Sequence, residues 1–233
     1  MLSNVETNPS LGPTYPTLVE SVAESIRNSI LTGRFAPTER LVETDLAREL
    51  NVSRGPIREA LALLAKDGIV IHVPRRGKFV QGFTPRLIDE LYSLRRVLEP
   101  YAVRLVIEKL DDRGKESLKA ALAEIINAAA GTDAQVLARS DVSFHDLLYT
   151  LADHDLLQRA WLENIAGRLR ILLNVTTRSL TPMSDAERQH RDLLAPILAR
   201  DKVTARKRIE VHIDEAWQRA RLGAHEVHGQ AIP

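Results

Sequence analysis

The sequence predicts a mainly α-helical protein in two parts: an N-terminal winged helix-turn-helix with a small β-hairpin wing, then a C-terminal all-α six-helix bundle. Three observations predict it. Apolar residues recur at helical spacing along most of the chain. Two short strand-like runs, Ile69 to Val73 and Lys78 to Gly82, flank the turn Pro74-Arg75-Arg76-Gly77. After Thr84 only the helical period remains. The boundary therefore falls near Gly82-Phe83, giving a flexible tail over 1–15, a winged module over 16–82 and a helical domain over 83–233.

Each element has a local reason. The first residues are polar and proline-containing, without the charged start and apolar core of a signal peptide, so a mobile tail is expected. From Thr17 to Thr32, Val22, Ile26 and Ile30 share a helix face, and Gly33 ends it. After a linker containing Pro37, a second helix from about Glu43 to Leu50 buries Leu46, Ala47 and Leu50. Asn51 suits a left-handed turn residue, and Val52 packs beneath the turn. Ser53 is placed to cap a third helix whose first turn takes Pro56 at little cost. Ile57, Ala60, Leu61 and Leu64 form its buried stripe, and Gly68 ends it. The helical domain reads as helices over 84–110, 114–130, 133–152, 155–178, 184–199 and 201–222, the fifth opened by a Ser184–Glu187 capping box.

Composition narrows the function. The chain has 233 residues, 44% hydrophobic and 27% charged, as an ordinary globular protein does. Aromatics at 4% argue against a surface that stacks single-stranded bases. The absence of cysteine excludes disulfides, thiolate metal sites and cysteine nucleophiles, and fits a cytoplasmic location. No apolar run reaches the length of a membrane span. A net charge of +1 is uninformative, so any nucleic-acid argument rests on local clustering.

Such clustering exists. Residues 53–78 hold six basic side chains, Arg54, Arg58, Lys66, Arg75, Arg76 and Lys78, against two acids, Glu59 and Asp67. Arg54 and Arg58 are four apart, on one helix face, at the end of a recognition helix that meets base edges. Arginine can donate two bonds to guanine in the major groove. Ser53, Gly55 and the helix N-terminus, with nearby Thr44, are placed to hold phosphates. Arg75 and Arg76 sit at the wing tip, where Gly77 allows close backbone approach. Double-stranded DNA is the expected partner.

VSRGPIREALALLAKDGIV followed by PRRGKFV resembles the winged-helix signature of the GntR family of bacterial transcription regulators. The resemblance implies that Arg54, Arg58 and Arg76-Gly77 contact DNA. The family commonly has glycine where this chain has Asn51, and both tolerate the turn. The helical remainder resembles the FCD effector domain of the FadR-like branch, and its six helices resemble the shorter VanR type.

A second constellation lies in the helical domain. Asp141 and His145 are one helical turn apart on the face that carries Phe144, Leu148 and Leu151. His190 is in line with Leu193, Leu194 and Ile197, and His212 with Ala205, Ile209 and Ala216. Ionisable groups on apolar faces need a partner, and a divalent cation (zinc foremost, or nickel, iron or manganese) suits these donors. A lone inward histidine is more often a hydrogen-bonded core residue; three with an aspartate favour the metal. The FCD resemblance implies the same ligands through DVSFH, ERQHRDLL and RIEVHIDEA. It departs at His154, where the family often has asparagine. It also implies a small carboxylic acid effector at the open metal positions. Arg95, in LRRVLEP, matches a basic position near that pocket, although an ion pair with Glu99 is an equal reading. Asn164 and Arg168 are inward-leaning candidates on the fourth helix.

The expected protein is a homodimeric, ligand-responsive regulator, a repressor rather than an enzyme, with two modules reading a near-palindromic operator. One rival is a sensor whose signal is the cation itself. The other is a metal-dependent enzyme, weakened by the lack of an HExxH motif.

Overall fold

The computed structural model describes residues 16–180 and 183–227, and side chains other than those of 175–184 and 224–227. The tail expected over 1–15 and the Ser184 cap lie outside the described parts.

The winged module opens with α1, Leu18–Leu31, which buries Val22, Ala23, Ile26 and Ile30. Thr17 and Glu20 form a full capping box at its start, satisfying two otherwise orphaned backbone donors. Helix α2, Glu43–Glu49, and helix α3, Arg54–Lys66, flank a turn in which Asn51 takes a left-handed φ of 53°. Helix α3 buries Ile57, Ala60, Leu61 and Leu64, the expected stripe. Ser53 occupies the N-cap position, but its side chain makes no capping bond. Leu50 is half-buried rather than in the core.

The wing has three strands. β1, Arg40–Leu41, pairs antiparallel with β3, Gly77–Val80, which pairs with β2, Val70–Val73. The hairpin was expected; β1 was not, because a two-residue strand carries no period. Between β2 and β3, Arg76 N–H donates to Val73 O at 3.1 Å, while Arg75 has a φ of 64°. Proline at the second position and a positive φ at the third are the pattern of a type II turn, which ordinarily places glycine where Arg75 sits.

The helical domain comprises α4, Pro85–Lys109; α5, Asp112–Ala130; α6, Ala134–Leu151; α7, Asp155–Trp161; α8, Gly167–Leu180; α9, Met183–Leu198; and α10, Lys202–Val227. Thr84, Asp111 and Asp133 cap α4, α5 and α6 with their side chains. His154 does the same for α7, its Nδ1 accepting from Leu157 N–H at 3.3 Å, a capping role open equally to asparagine. Helices α7 and α8 form the expected fourth helix, broken by a π turn at Leu162–Ala166. Among the described helices none is long and apolar enough to cross a membrane.

Each part has its own core, and α8 reaches into both. Ile171 is buried in the core of the winged module, while Leu169 and Leu172 belong to that of the helical domain.

Candidate nucleic-acid interface and candidate metal centre

Thr44, Ser53, Arg54, Gly55, Arg58, Arg75 and Arg76 are all exposed, and Gly77 is half-buried. Glu43 is the acid among them. Its Oε2 lies 3.5 Å from Arg54 Nη2 and 3.4 Å from Arg58 Nε, so one carboxylate gathers both guanidinium groups. Lys78 Nζ donates to Arg58 O at 3.1 Å, tying the wing to the recognition helix. Burial and the adjacent Arg58 lower the Lys78 pKa from its ordinary value, against the pull of Glu43. A groove of about 280 Å³ runs between helix and wing, lined by Arg40, Thr44, Arg54, His72, Gly77 and Lys78 among others. Arg40 and His72 were not found from sequence. Arg40 lies outside the basic run and reaches the groove only because β1 pairs with β3.

In the helical domain Asp141 and His145 on α6, His190 on α9 and His212 on α10 converge. One ligand atom from each lies within 4.8 Å of all the others. His145 Nε2 faces His212 Nε2 at 3.1 Å, and His190 Nε2 stands 3.3 Å from Asp141 Oδ1. All three imidazoles are buried, and Asp141 is partly so. His190 Nδ1–H donates to Ala186 O at 2.8 Å, which leaves its Nε2 lone pair directed at the centre.

Burial lowers the His190 pKa against the pull of Asp141, and burial with His190 and His145 nearby holds that of His212 well below its ordinary value. Neutral imidazoles offer lone pairs rather than protons. His190 Nε2 and His212 Nδ1 have no hydrogen-bond partner, a costly condition in a core. Three nitrogens and a carboxylate converging with such orphans are a donor set that a divalent cation can take.

Behind this centre stands α4. Arg95 and Glu99 are 1% and 0% exposed and form an ion pair through Arg95 Nε and Glu99 Oε1. Arg95 Nη2 lies 3.4 Å from His145 Nε2, and Glu99 Oε2 lies 2.8 Å from His145 Nδ1. Burial opposes the charged Glu99, but Arg95 and His145 outweigh it and hold its carboxyl at about 2. Burial likewise opposes the Arg95 charge, and Glu99 reverses that, raising its pKa. Arg95 thus joins the cluster, and Glu99, considered in sequence only as its ion-pair partner, also faces His145.

Asn164 and Arg168 do not join it. Asn164 is exposed within the π turn and bonds back to Ala160 O at 3.1 Å. Arg168 donates to Asn164 O at 2.8 Å and packs against Gly68 of the winged module. Asn164 lies within the π turn, and Ile165, Ala166 and Leu169 take the buried positions instead.

The same segment joins the two parts. A Cβ on Gly167 would collide with the Asp67 carbonyl oxygen at the end of α3. Nearby, Asn174 Nδ2 donates to Leu31 O at 2.7 Å and Lys66 pairs with Glu163 at 3.1 Å. On its other side this helix is tied to α6, where Asp146, next to His145, accepts from Trp161 and Arg170. A continuous set of contacts therefore leads from the histidine cluster to the recognition helix.

A winged helix with arginines at the start of α3, joined to an all-helical domain with a buried polar cluster, is the architecture of a two-domain transcriptional regulator. The chain belongs to the gntR family of bacterial regulatory proteins, matched over residues 18–80, and its helical half carries an FCD domain, matched over residues 90–215. It is 32% identical to the HTH-type transcriptional regulator YdhC of Bacillus subtilis over 194 residues, 81% of this chain and 84% of that one. It is 30% identical to the gluconate operon transcriptional repressor of Bacillus licheniformis over 203 residues, 83% of this chain and 81% of that one. Among solved structures, E. coli McbR/YncC matches with a TM-score of 0.76 and 22% identity, over 91% of this chain and 99% of that one. A GntR regulator from Rhodococcus sp. RHA1 matches with a TM-score of 0.74 and 25% identity, over 87% and 96%.

Proposed function

We propose that this regulator is a cytoplasmic homodimeric repressor whose operator affinity is set by a small carboxylic acid bound at a metal centre. In this reading residues 16–82 hold the DNA and residues 83–233 form the dimer and hold the effector. Arg54 and Arg58 read base edges. Thr44, Ser53, Gly55, Arg75, Arg76 and Gly77 engage the backbone and the groove beside it. Asp141, His145, His190 and His212 would hold a divalent cation, zinc foremost, which when bound supplies a Lewis-acidic seat for a carboxylate oxygen. Arg95 pairs with the rest of the acid.

The observation that carries the reading is the convergence of the four donor atoms beside a fully buried Arg95. Charge balance supports an anion. Asp141 and Glu99 each bring one negative charge, Arg95 one positive and the cation two, so the buried site is left with an excess positive charge. Uncompensated buried charge is costly, and an incoming carboxylate cancels it. A relative that represses an operon named for gluconate, itself a small carboxylate, agrees. The output would follow the contacts from α6 through Asp146, Arg170 and α8 to Asp67 and Gly68. The acid acts only by binding one arrangement of the modules better than the other.

The test is operator affinity of metal-loaded and metal-stripped protein, with and without a panel of small carboxylic acids. Release of DNA by an acid only when metal is present supports the proposal. A response to metal alone, with every acid silent, replaces it with a metal sensor, and turnover of an acid replaces it with an enzyme.

A further inference from the structure

Glu99 has no place among the ligands, yet among the described residues it is the only carboxylate with one oxygen toward a candidate ligand and the other toward the buried arginine. Its Oε1 takes Arg95 Nε–H. Its Oε2 and His145 Nδ1 stand 2.8 Å apart but out of hydrogen-bond line, and neither has another hydrogen-bond partner. An unpaired donor and an unpaired acceptor, both buried, are each costly, and their mutual bond satisfies both. That bond requires the proton on Nδ1. It therefore leaves a lone pair on His145 Nε2, the atom that faces His212 Nε2 at 3.1 Å.

The other imidazoles are held differently. His190 is backed by a neutral carbonyl, Ala186 O, while His212 Nδ1 has no hydrogen-bond partner. Only His145 has a charged group behind it. A carboxylate on the far nitrogen of a metal-bound imidazole fixes the ring and its tautomer and makes the near nitrogen a stronger donor. Glu99 also anchors the arginine whose Nη2 lies 3.4 Å from the same His145 Nε2. Arg95 Nη2 would give up that lone pair to a bound cation, leaving a free donor edge while Nε stays on Glu99.

We propose that Glu99 is a positioning residue for the metal centre. It presents His145 Nε2 to the cation and holds Arg95 at the anion seat, so that metal affinity and the response to acid are coupled through one carboxylate. The inference rests on the metal reading above.

The experiment is titration of Zn²⁺ into metal-stripped full-length protein against a chromophoric chelator, for wild type and Glu99→Gln, with the melting of each metal-free protein recorded. Glutamine keeps the shape and loses the charge. The expected result is a Zn²⁺ affinity weakened about 10–100-fold in a folded variant, with shifted visible bands in the Co²⁺ form, which a purely structural role would not move. A Zn²⁺ affinity within about twofold of wild type, where loss of an outer-shell partner costs at least tenfold, overturns the proposal. Where Glu99→Gln does not fold, the double variant Arg95→Met with Glu99→Met removes both buried charges together and is judged by the same two outcomes. If wild type binds none of Zn²⁺, Ni²⁺ or Mn²⁺, the metal reading itself fails, and this inference with it. If wild type binds and the variant binds equally well, only the role of Glu99 is lost.

Discussion

On the winged module the side chains of Arg54 and Arg58 are 58% and 64% exposed and share the carboxylate of Glu43; in the helical domain Arg95 and Glu99 are 1% and 0% exposed and lean on a histidine. Both arrangements set arginine against glutamate, and they should behave in opposite ways. An exposed ion pair contributes little to stability because water replaces either partner. A buried pair contributes little net as a unit, but removing one partner strands the other in a medium that cannot solvate it. The outer site can therefore be altered without unfolding the protein, whereas the inner site is part of the core that holds the helical domain together.

The sharpest break of this comparison is Arg95→Leu. It leaves Glu99 buried without its cationic partner and should cost about 3–5 kcal/mol of stability, read by denaturant unfolding of the metal-free protein. A loss under about 1 kcal/mol would mean that water reaches the pair. Arg54→Ala or Arg58→Ala should each weaken specific operator binding about tenfold to a hundredfold with the melting temperature unchanged. Retained specificity would remove α3 from the reading role.

Gly167→Ala tests the joint between the regions. The added methyl meets the Asp67 carbonyl, so a loss of about 1–3 kcal/mol is expected, together with a changed response of DNA affinity to the helical domain. Neutral behaviour in both assays would show that the joint yields without consequence.

Acid separates the regions next. Burial lowers the pKa of His190 and His212 below the ordinary 6.5, so below that pH the unfolded chain binds more protons and metal-free protein loses stability. Glu99 adds a second loss, its contribution being complete above 4.5 and vanishing as pH falls toward 2. Helical-domain probes should register the first decline before probes of the wing. A simultaneous response would indicate one cooperative unit. The smallest effect is expected at the wing tip, where Arg76→Ala should reduce the salt slope of DNA binding by about one unit, the worth of one phosphate contact.

What was legible in the sequence follows from the range of the forces involved. The helix-turn-helix could be read because its determinants are local: Asn51 at a turn, Pro56 in a first turn, and a stripe from Ile57 to Leu64. Asp141 and His145 could be read because one turn of helix fixes their common face, and His190 and His212 because each interrupts an apolar stripe. The rest was out of reach for a physical reason in each case. β1 exists only through pairing with β3, which no two-residue pattern announces. Arg40 enters the groove between α3 and the wing through that pairing. Glu99 meets His145 only by the packing of α4 on α6. Asn164 and Arg168 were placed inward by a period of 3.6 that the π turn interrupts.

That π turn gives α7 and α8 a kind of slack. A helix with one residue more than its winding requires can surrender it without breaking. Doing so would turn the segment beyond by about 100° and move it by about 1.5 Å along its axis. Gly167, Arg168, Ile171 and Asn174, four of the groups that touch the winged module, lie just beyond it. The direction in which α8 meets the end of α3 is therefore set by that one extra residue.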